Sequence, residues 1–144
     1  MRLQSRDFDD GGAIPSRFTC DGEGISPQLS WTDVPAGVRS FALSVEDPDA
    51  SMGTFIHWLV YDIPKDITGI EQGGFPRGAR QVRNDFGKEG YGGPSPPSGT
   101  HRYIFTIHAL DIEHLVGVDR KNFFKIVGQH TLAKAKLTGL YRRR

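Results

Sequence analysis

The sequence predicts a mainly β protein built on antiparallel strands, with helices gathered at its C-terminal end. Three observations predict it. The runs 40–47, 55–63 and 102–110 have the length and the Val, Ile, Phe and Tyr content of strands. They are separated by turn clusters rich in Gly, Pro, Asp and Asn. Helical spacing of apolar residues appears only past residue 119. Strands first and helices after is the order of a domain whose helices are segregated from its sheet.

Taken in order, residues 2–8 read as a short edge strand, weakened by Arg and Asp. Asp9, Asp10, Gly11 and Gly12 form a turn cluster. Residues 14–27 read as an ordered loop that has to bury Phe18 and Ile25. Leu29, Ser30 and Trp31 make a brief strand, and Pro35, Ala36 and Gly37 turn into the next. There Phe41, Leu43 and Val45 alternate with Ala42, Ser44 and Glu46, the period of a strand with one buried face. One further step puts Asp47 on the apolar face. A carboxylate there is costly unless it is paired or reaches a wet pocket. Pro48 stops the strand.

The run 55–63 is apolar on both faces, as in a central strand covered from both sides. Strict alternation puts Phe55, His57, Leu59 and Tyr61 on one face. Pro64 ends the run. Residues 65–100 are rich in Gly and Pro, and a span this long is usually functional. A strand fragment is expected over 82–86. In the third strong strand, His101 and Tyr103 share a face that Phe105 and Ile107 continue inward, while Arg102 points the other way. His108 falls on the face opposite His101, which argues against a metal site using both.

Past this strand, Asp119 suits the N-cap of a short helix through Phe123 and Phe124. A second helix is expected from about Val127 to Thr138. His130, Ala133, Leu137 and Leu140 or Tyr141 lie at helical spacing, and Gly139 suits the residue just past the helix end. Arg142, Arg143 and Arg144 read as a frayed basic tail.

A chain of 144 residues is expected to form one domain over 1–144. Its net charge of +1 gives no electrostatic case for nucleic acid or a membrane surface. Cys20 is the sole cysteine, so no internal disulfide and no cysteine metal site are expected. With no apolar leader and no membrane-length run, a reducing, cytoplasmic home is expected. No Lys-bearing phosphate loop, zinc spacing or dinucleotide fingerprint is present, so neither cofactor nor metal is expected.

The polar residues at the strand ends suggest a small pocket at the rim of the β core. Two histidines can be cationic or neutral donors to an anion, and Tyr103 offers a hydroxyl. The segment 90–100 offers backbone amides on a stretch that Gly lets approach closely and Pro stiffens. Asp47, which would repel an anion, is expected to hold His57 or His101 by a charge-assisted hydrogen bond, or to accept from an ammonium. Each residue also has a plainer reading. Asp47 could cap the Pro48 turn, Asp49 is the better turn-former of the two, and His57 or His101 alone would read as a core histidine. His130 reads as a structural helix histidine and Cys20 as inert.

The motifs Asp47-Pro48-Asp49-Ala50, His57-Trp58-Leu59-Val60 and the 92–99 loop leading to His101-Arg102-Tyr103 resemble the phosphatidylethanolamine-binding protein (PEBP) family. Ser26-Pro27-Gln28-Leu29-Ser30-Trp31 and His130-Thr131-Leu132-Ala133 support the likeness, which is to the short bacterial and archaeal branch. One position departs: Ser51 stands where the family usually has proline. The resemblance implies a β-sandwich-like fold with a small anion pocket at one end, lined by Asp47, Phe55, His57, Ser95, Pro96, His101 and Tyr103. It implies a non-enzymatic module, akin to the Raf kinase inhibitor-like proteins, that captures phosphate, a phosphomonoester or a phosphoethanolamine-like head group and modulates a partner kinase. It also suggests homodimers. One alternative is a serine protease inhibitor acting on its protease through a surface loop. Another is a hydrolase using Asp47 and His57 as an acid/base pair, for which no activated nucleophile is evident.

Overall fold

The computed structural model describes residues 1–143. Eight strands and one α-helix follow the chain as β1 (Arg2–Gln4), β2 (Leu29–Thr32), β3 (Ser40–Asp47), β4 (Phe55–Pro64), β5 (Gly69–Ile70), β6 (Arg80–Val82), β7 (Thr100–Leu110), α1 (Phe123–His130) and β8 (Thr131–Arg142). They form a three-stranded sheet in the order β1-β2-β5 and a five-stranded sheet in the order β6-β4-β3-β7-β8. Every strand pair is antiparallel.

The main core lies between the sheets. Leu3, Leu29 and Trp31 of the small sheet, with Phe8, Ile14 and Phe18 of the loops, pack on Phe41, Leu43, Val45, Trp58, Val60, Phe105 and Ile107. Each of the large side chains here contributes roughly 1.5–3 kcal/mol by leaving water. The other face of the large sheet has its own cluster, in which Ala42, Leu59, Tyr61 and Leu110 meet Leu115 and the α1 residues Phe123 and Val127. The mainly β, sandwich-like class is therefore correct, and the strands 40–47, 55–63 and 102–110 form the middle of the large sheet.

Four local expectations are corrected. The helix expected over 127–138 is mostly strand: α1 ends at His130, where the Thr131 hydroxyl donates to the Val127 carbonyl. Residues 131–142 then pair with β7 along its whole length. The segment also has a period of two, with Ala133, Ala135, Leu137, Gly139 and Tyr141 against Leu132, Lys134, Lys136 and Thr138. Ample pairing to β7 decides between the two periods. Gly139 is accordingly no helix stop. A Cβ there would lie 2.4 Å from Ile14 Cγ1 and 2.8 Å from Phe8 Cε2, so only glycine lets the 8–14 segment close over β8.

Asn122, not Asp119, flanks the start of α1. The Asp119 carboxylate instead accepts from the amides of Lys121 and Asn122 in the turn before it. The fragment expected at 82–86 is displaced to β6, because Asn84 closes a turn by accepting from the amides of Phe86 and Lys88. Arg142 belongs to β8 rather than to a frayed tail, and Arg144 lies outside the described residues.

Two β-bulges reset the register of β3 against β4, one between Phe41 and Leu43 and one between Val45 and Glu46. The first accompanies Asp62, which sits at φ 56° with its carboxylate accepting from the Leu115 amide. The second decides where His57 points. Val45 pairs with Trp58 and Glu46 with Ile56, so His57 is the extra residue.

Candidate functional site

The bulge is what brings His57 to the end of the main core. Trp58 and Val60 belong to the inter-sheet core, whereas Leu59 and Tyr61 pack on the α1 side. Unbroken alternation would leave His57 with Leu59 and Tyr61, on the far side of the sheet from Asp47. The extra residue turns His57 and Phe55 toward Tyr103 instead. The His57 ring meets Tyr103 edge-on at 5.2 Å and lies 5.0 Å from the Phe55 ring. The shared face expected for Phe55, His57, Leu59 and Tyr61 is thus broken between His57 and Leu59.

His57 Nδ1–H donates to the Gly92 carbonyl at 2.6 Å, and the Gly92 amide donates back to the His57 carbonyl at 2.9 Å. This reciprocal clamp leaves Nε2 as the free ring nitrogen. Burial of the ring holds its pKa below the ordinary 6.5, opposed chiefly by the Gly92 hydrogen bond. Gly92 is required for the approach, since a Cβ there would fall 2.3 Å from the Phe86 ring. A Cβ at Gly93 would fall 2.8 Å from the Phe18 carbonyl oxygen, and the Cys20 amide donates to the Pro94 carbonyl at 3.0 Å. The Tyr91 hydroxyl donates to the Phe18 carbonyl at 2.8 Å. The 90–99 segment is therefore fastened to both β4 and the 14–27 loop, and it presents Ser95 and Pro96 to the cavity.

Asp47 fills both roles that its position allows. Oδ1 accepts from the Asp49 amide at 2.8 Å and closes the Pro48 turn, while Oδ2 lies 2.6 Å from His101 Nδ1. The ring it holds is His101, not His57. The carboxylate is 4% exposed as a residue, so this bond is made away from water and is short, as charge-assisted bonds are. Asp49 is more than a turn-former. It takes the Arg102 amide, Nε and Nη2 in three bonds of 2.8–2.9 Å, and the Arg102 guanidinium holds its pKa down to about 2. Two successive acids thus grip two successive residues of β7.

Tyr103 stacks beside His101, with ring centroids 6.5 Å apart and planes 22° apart. Among the described residues, two buried side-chain polar atoms have no close hydrogen-bond partner: Trp31 Nε1 in the core, and the Tyr103 hydroxyl, which interacts only loosely with the Asp47 carboxylate and the Ser95 backbone. Such a loosely held donor is poorly satisfied, at a cost below the roughly 1–3 kcal/mol of a fully orphaned one. Burial first, and the Asp47 charge second, raise the phenol pKa, so the proton stays on the oxygen as a donor.

All seven residues singled out in the sequence line one cavity of about 530 Å³: Asp47, Phe55, His57, Ser95, Pro96, His101 and Tyr103. It is open to solvent through a rim that carries Met52, Phe86 and Arg120. No pattern in the sequence points to these three. Arg120 in particular comes from the segment between β7 and α1, and only the packing of that segment brings it to the rim. The arrangement can offer a negative guest the Tyr103 hydroxyl, the outer nitrogens of two histidines whose inner nitrogens are already engaged, and a stiff Pro-rich wall. His108 lies on the other face of the large sheet, 3.4 Å from the Ser44 hydroxyl. Burial, then Lys134 and Lys136, lower its pKa to about 4. Among the described residues, no helix is long and apolar enough to cross a membrane.

The family model described as phosphatidylethanolamine-binding protein matches residues 4–142. A UPF0098 protein of Methanothermobacter thermautotrophicus is 47% identical, with 99% of each chain covered. The UPF0098 protein YbhB of Escherichia coli is 44% identical, with 98% of this chain and 99% of that one covered. Among solved structures, Escherichia coli YbcL, described as a member of the mammalian PEBP family, superposes with a TM-score of 0.93 at 32% identity, over 99% of this chain and 98% of that one. A PEBP homologue from Chlamydia trachomatis superposes with a TM-score of 0.92 at 36% identity, over 99% and 97%.

Proposed function

The chain belongs to the phosphatidylethanolamine-binding protein family, and from that premise we propose that it is a non-enzymatic module whose cavity takes phosphate or a phosphorylated small molecule. The observation that carries this reading is the Tyr103 hydroxyl: a buried donor with no close partner, in the wall of a cavity that also holds His57 and His101. A phosphoryl oxygen would satisfy that donor. The outer nitrogens of the histidines would take two more oxygens, or accept a proton from one. Asp47 stays out of contact with the anion. Its work is to fix the His101 ring by holding Nδ1, so that Nε2 faces the guest.

The geometry favours binding over hydrolysis. His57 spends Nδ1 on the Gly92 carbonyl and Asp47 spends its oxygens on His101 and Asp49, so no hydrogen bond links the two as an acid/base pair would. In this reading, occupancy of the cavity regulates a protein partner of the kinase class.

Titration calorimetry with inorganic phosphate tests the reading. Wild type binds with a stoichiometry of one, and His101→Ala loses about tenfold or more in affinity, the worth of one charge-assisted hydrogen bond. Absence of binding to wild type, or equal binding by the variant, overturns it.

A further inference from the structure

We infer that the preferred ligand carries a second negative group beside its phosphoryl group, and that Arg120 selects for it. The inference rests on the anion reading above and deepens it. Arg120 lines the 530 Å³ cavity and also a neighbouring cavity of about 570 Å³, so its guanidinium stands where the two meet. It is tethered on two sides. Nε is 3.4 Å from Asp85 Oδ1, and one terminal nitrogen donates to the Asn84 carbonyl at 3.3 Å. Asp85 is itself fixed, because its other oxygen accepts from the Ile56 amide at 2.7 Å. The second terminal nitrogen makes no hydrogen bond among the described residues. The side chain is 46% exposed, so a ligand leaving the cavity can reach it.

A guanidinium held in this way keeps the protons of one terminal nitrogen for a carboxylate or phosphate oxygen. The neighbouring cavity extends the same character. Arg83 and Lys121 line it with Arg120, against the carboxylates of Glu89 and Asp119. Asp119 already accepts two backbone amides. The apolar part of the rim, Met52 and Phe86, offers nothing to a charged substituent. A negative substituent leaving the phosphoryl site can pair with Arg120, whose guanidinium it shares with Asp85, a carboxylate that also lines the cavity. The ligand class is a phosphomonoester bearing a carboxylate or a second phosphate.

Phosphoglycolate and ethyl phosphate test this, since they differ only by a carboxylate in place of a methyl group. Calorimetry on the full chain is expected to give phosphoglycolate about fivefold tighter binding than ethyl phosphate, the scale of an exposed arginine pair. Arg120→Gln is expected to bring the ratio to about one, and Arg120→Lys to leave it between the two. Equal binding of the two esters by wild type overturns the inference and leaves the anion reading standing. So does a ratio that survives in Arg120→Gln. Phosphoglycolate binding that ignores His101→Ala also overturns it, because the ligand would then occupy the neighbouring cavity alone. Failure of both esters to bind wild type removes the anion reading and this inference together.

Discussion

Asp47 Oδ2 stands 2.6 Å from His101 Nδ1, and it makes this bond while its other oxygen caps the turn at Asp49. One carboxylate therefore fixes both the end of β3 and the orientation of a ring on β7. Asp47→Asn keeps the size and removes the charge. It is expected to destabilise the fold by about 1–3 kcal/mol, because a charge-assisted bond is weakened in a buried place. It is also expected to weaken phosphate binding several-fold, since the His101 ring is no longer fixed. Chemical denaturation and calorimetry on the same variant check both. Tighter phosphate binding would show that Asp47 acts on the guest chiefly as a repelling charge.

Tyr103→Phe separates binding from stability. Removing the loosely satisfied hydroxyl is expected to change the stability of the ligand-free protein by no more than about 1 kcal/mol, while phosphate affinity falls several-fold. Thermal melts with and without phosphate read both effects, and the phosphate-induced rise in melting temperature shrinks in the variant. A stability loss with unchanged affinity would make the hydroxyl a structural group.

Anion binding is expected to strengthen as pH falls. Burial keeps His57 below 6.5 in the free protein, and a negative guest against Nε2 would raise that value. Between the free and bound values, binding takes up a proton. Affinity therefore climbs as pH drops through the bound value and levels off below the free one. Sulfate, which stays a dianion across the range, gives the cleanest reading over roughly pH 5 to 8, where histidine titrates. His57→Gln is expected to flatten the part of the slope due to this ring. A flat wild-type profile would mean that neither histidine faces the guest.

His108 gives a separate, structural pH dependence. Its pKa falls from 6.5 to about 4 on folding, so the folded state favours the neutral ring. The contribution is complete above 6.5 and is lost as pH falls from there toward 4, where the unfolded chain binds the proton and the folded one does not. The loss is on the order of 3 kcal/mol. Urea unfolding at the two ends of that window should show the drop in wild type and a smaller one in His108→Gln. Lys134 and Lys136 add to the effect by repelling the imidazolium.

Much of the site was legible in the sequence because strand alternation is a local signal. Phe41, Leu43 and Val45 lead to Asp47, and Ile107 and Phe105 lead back to Tyr103 and His101, on continuous faces. His57 was placed in the pocket by an alternation that fails beside it. The bulge that corrects its direction depends on pairing with β3, which no single strand reveals. Residues 131–142 carry two periods at once, and the tie is broken by β7, a partner distant in the chain. Arg120 was out of reach for the same kind of reason: it lies outside any strand, and only the packing of the 111–122 segment delivers it.

The central claim is that Asp47, through His101, together with His57 and Tyr103, prepares a seat for one phosphoryl group. A crystal soaked in phosphate tests it most directly. The account predicts one phosphate in the cavity, with oxygens within hydrogen-bonding distance, about 2.6–3.2 Å, of the Tyr103 hydroxyl, His57 Nε2 and His101 Nε2. A phosphate bound elsewhere while this cavity stays free of it, or one in the cavity that leaves the Tyr103 hydroxyl unpartnered, would contradict it.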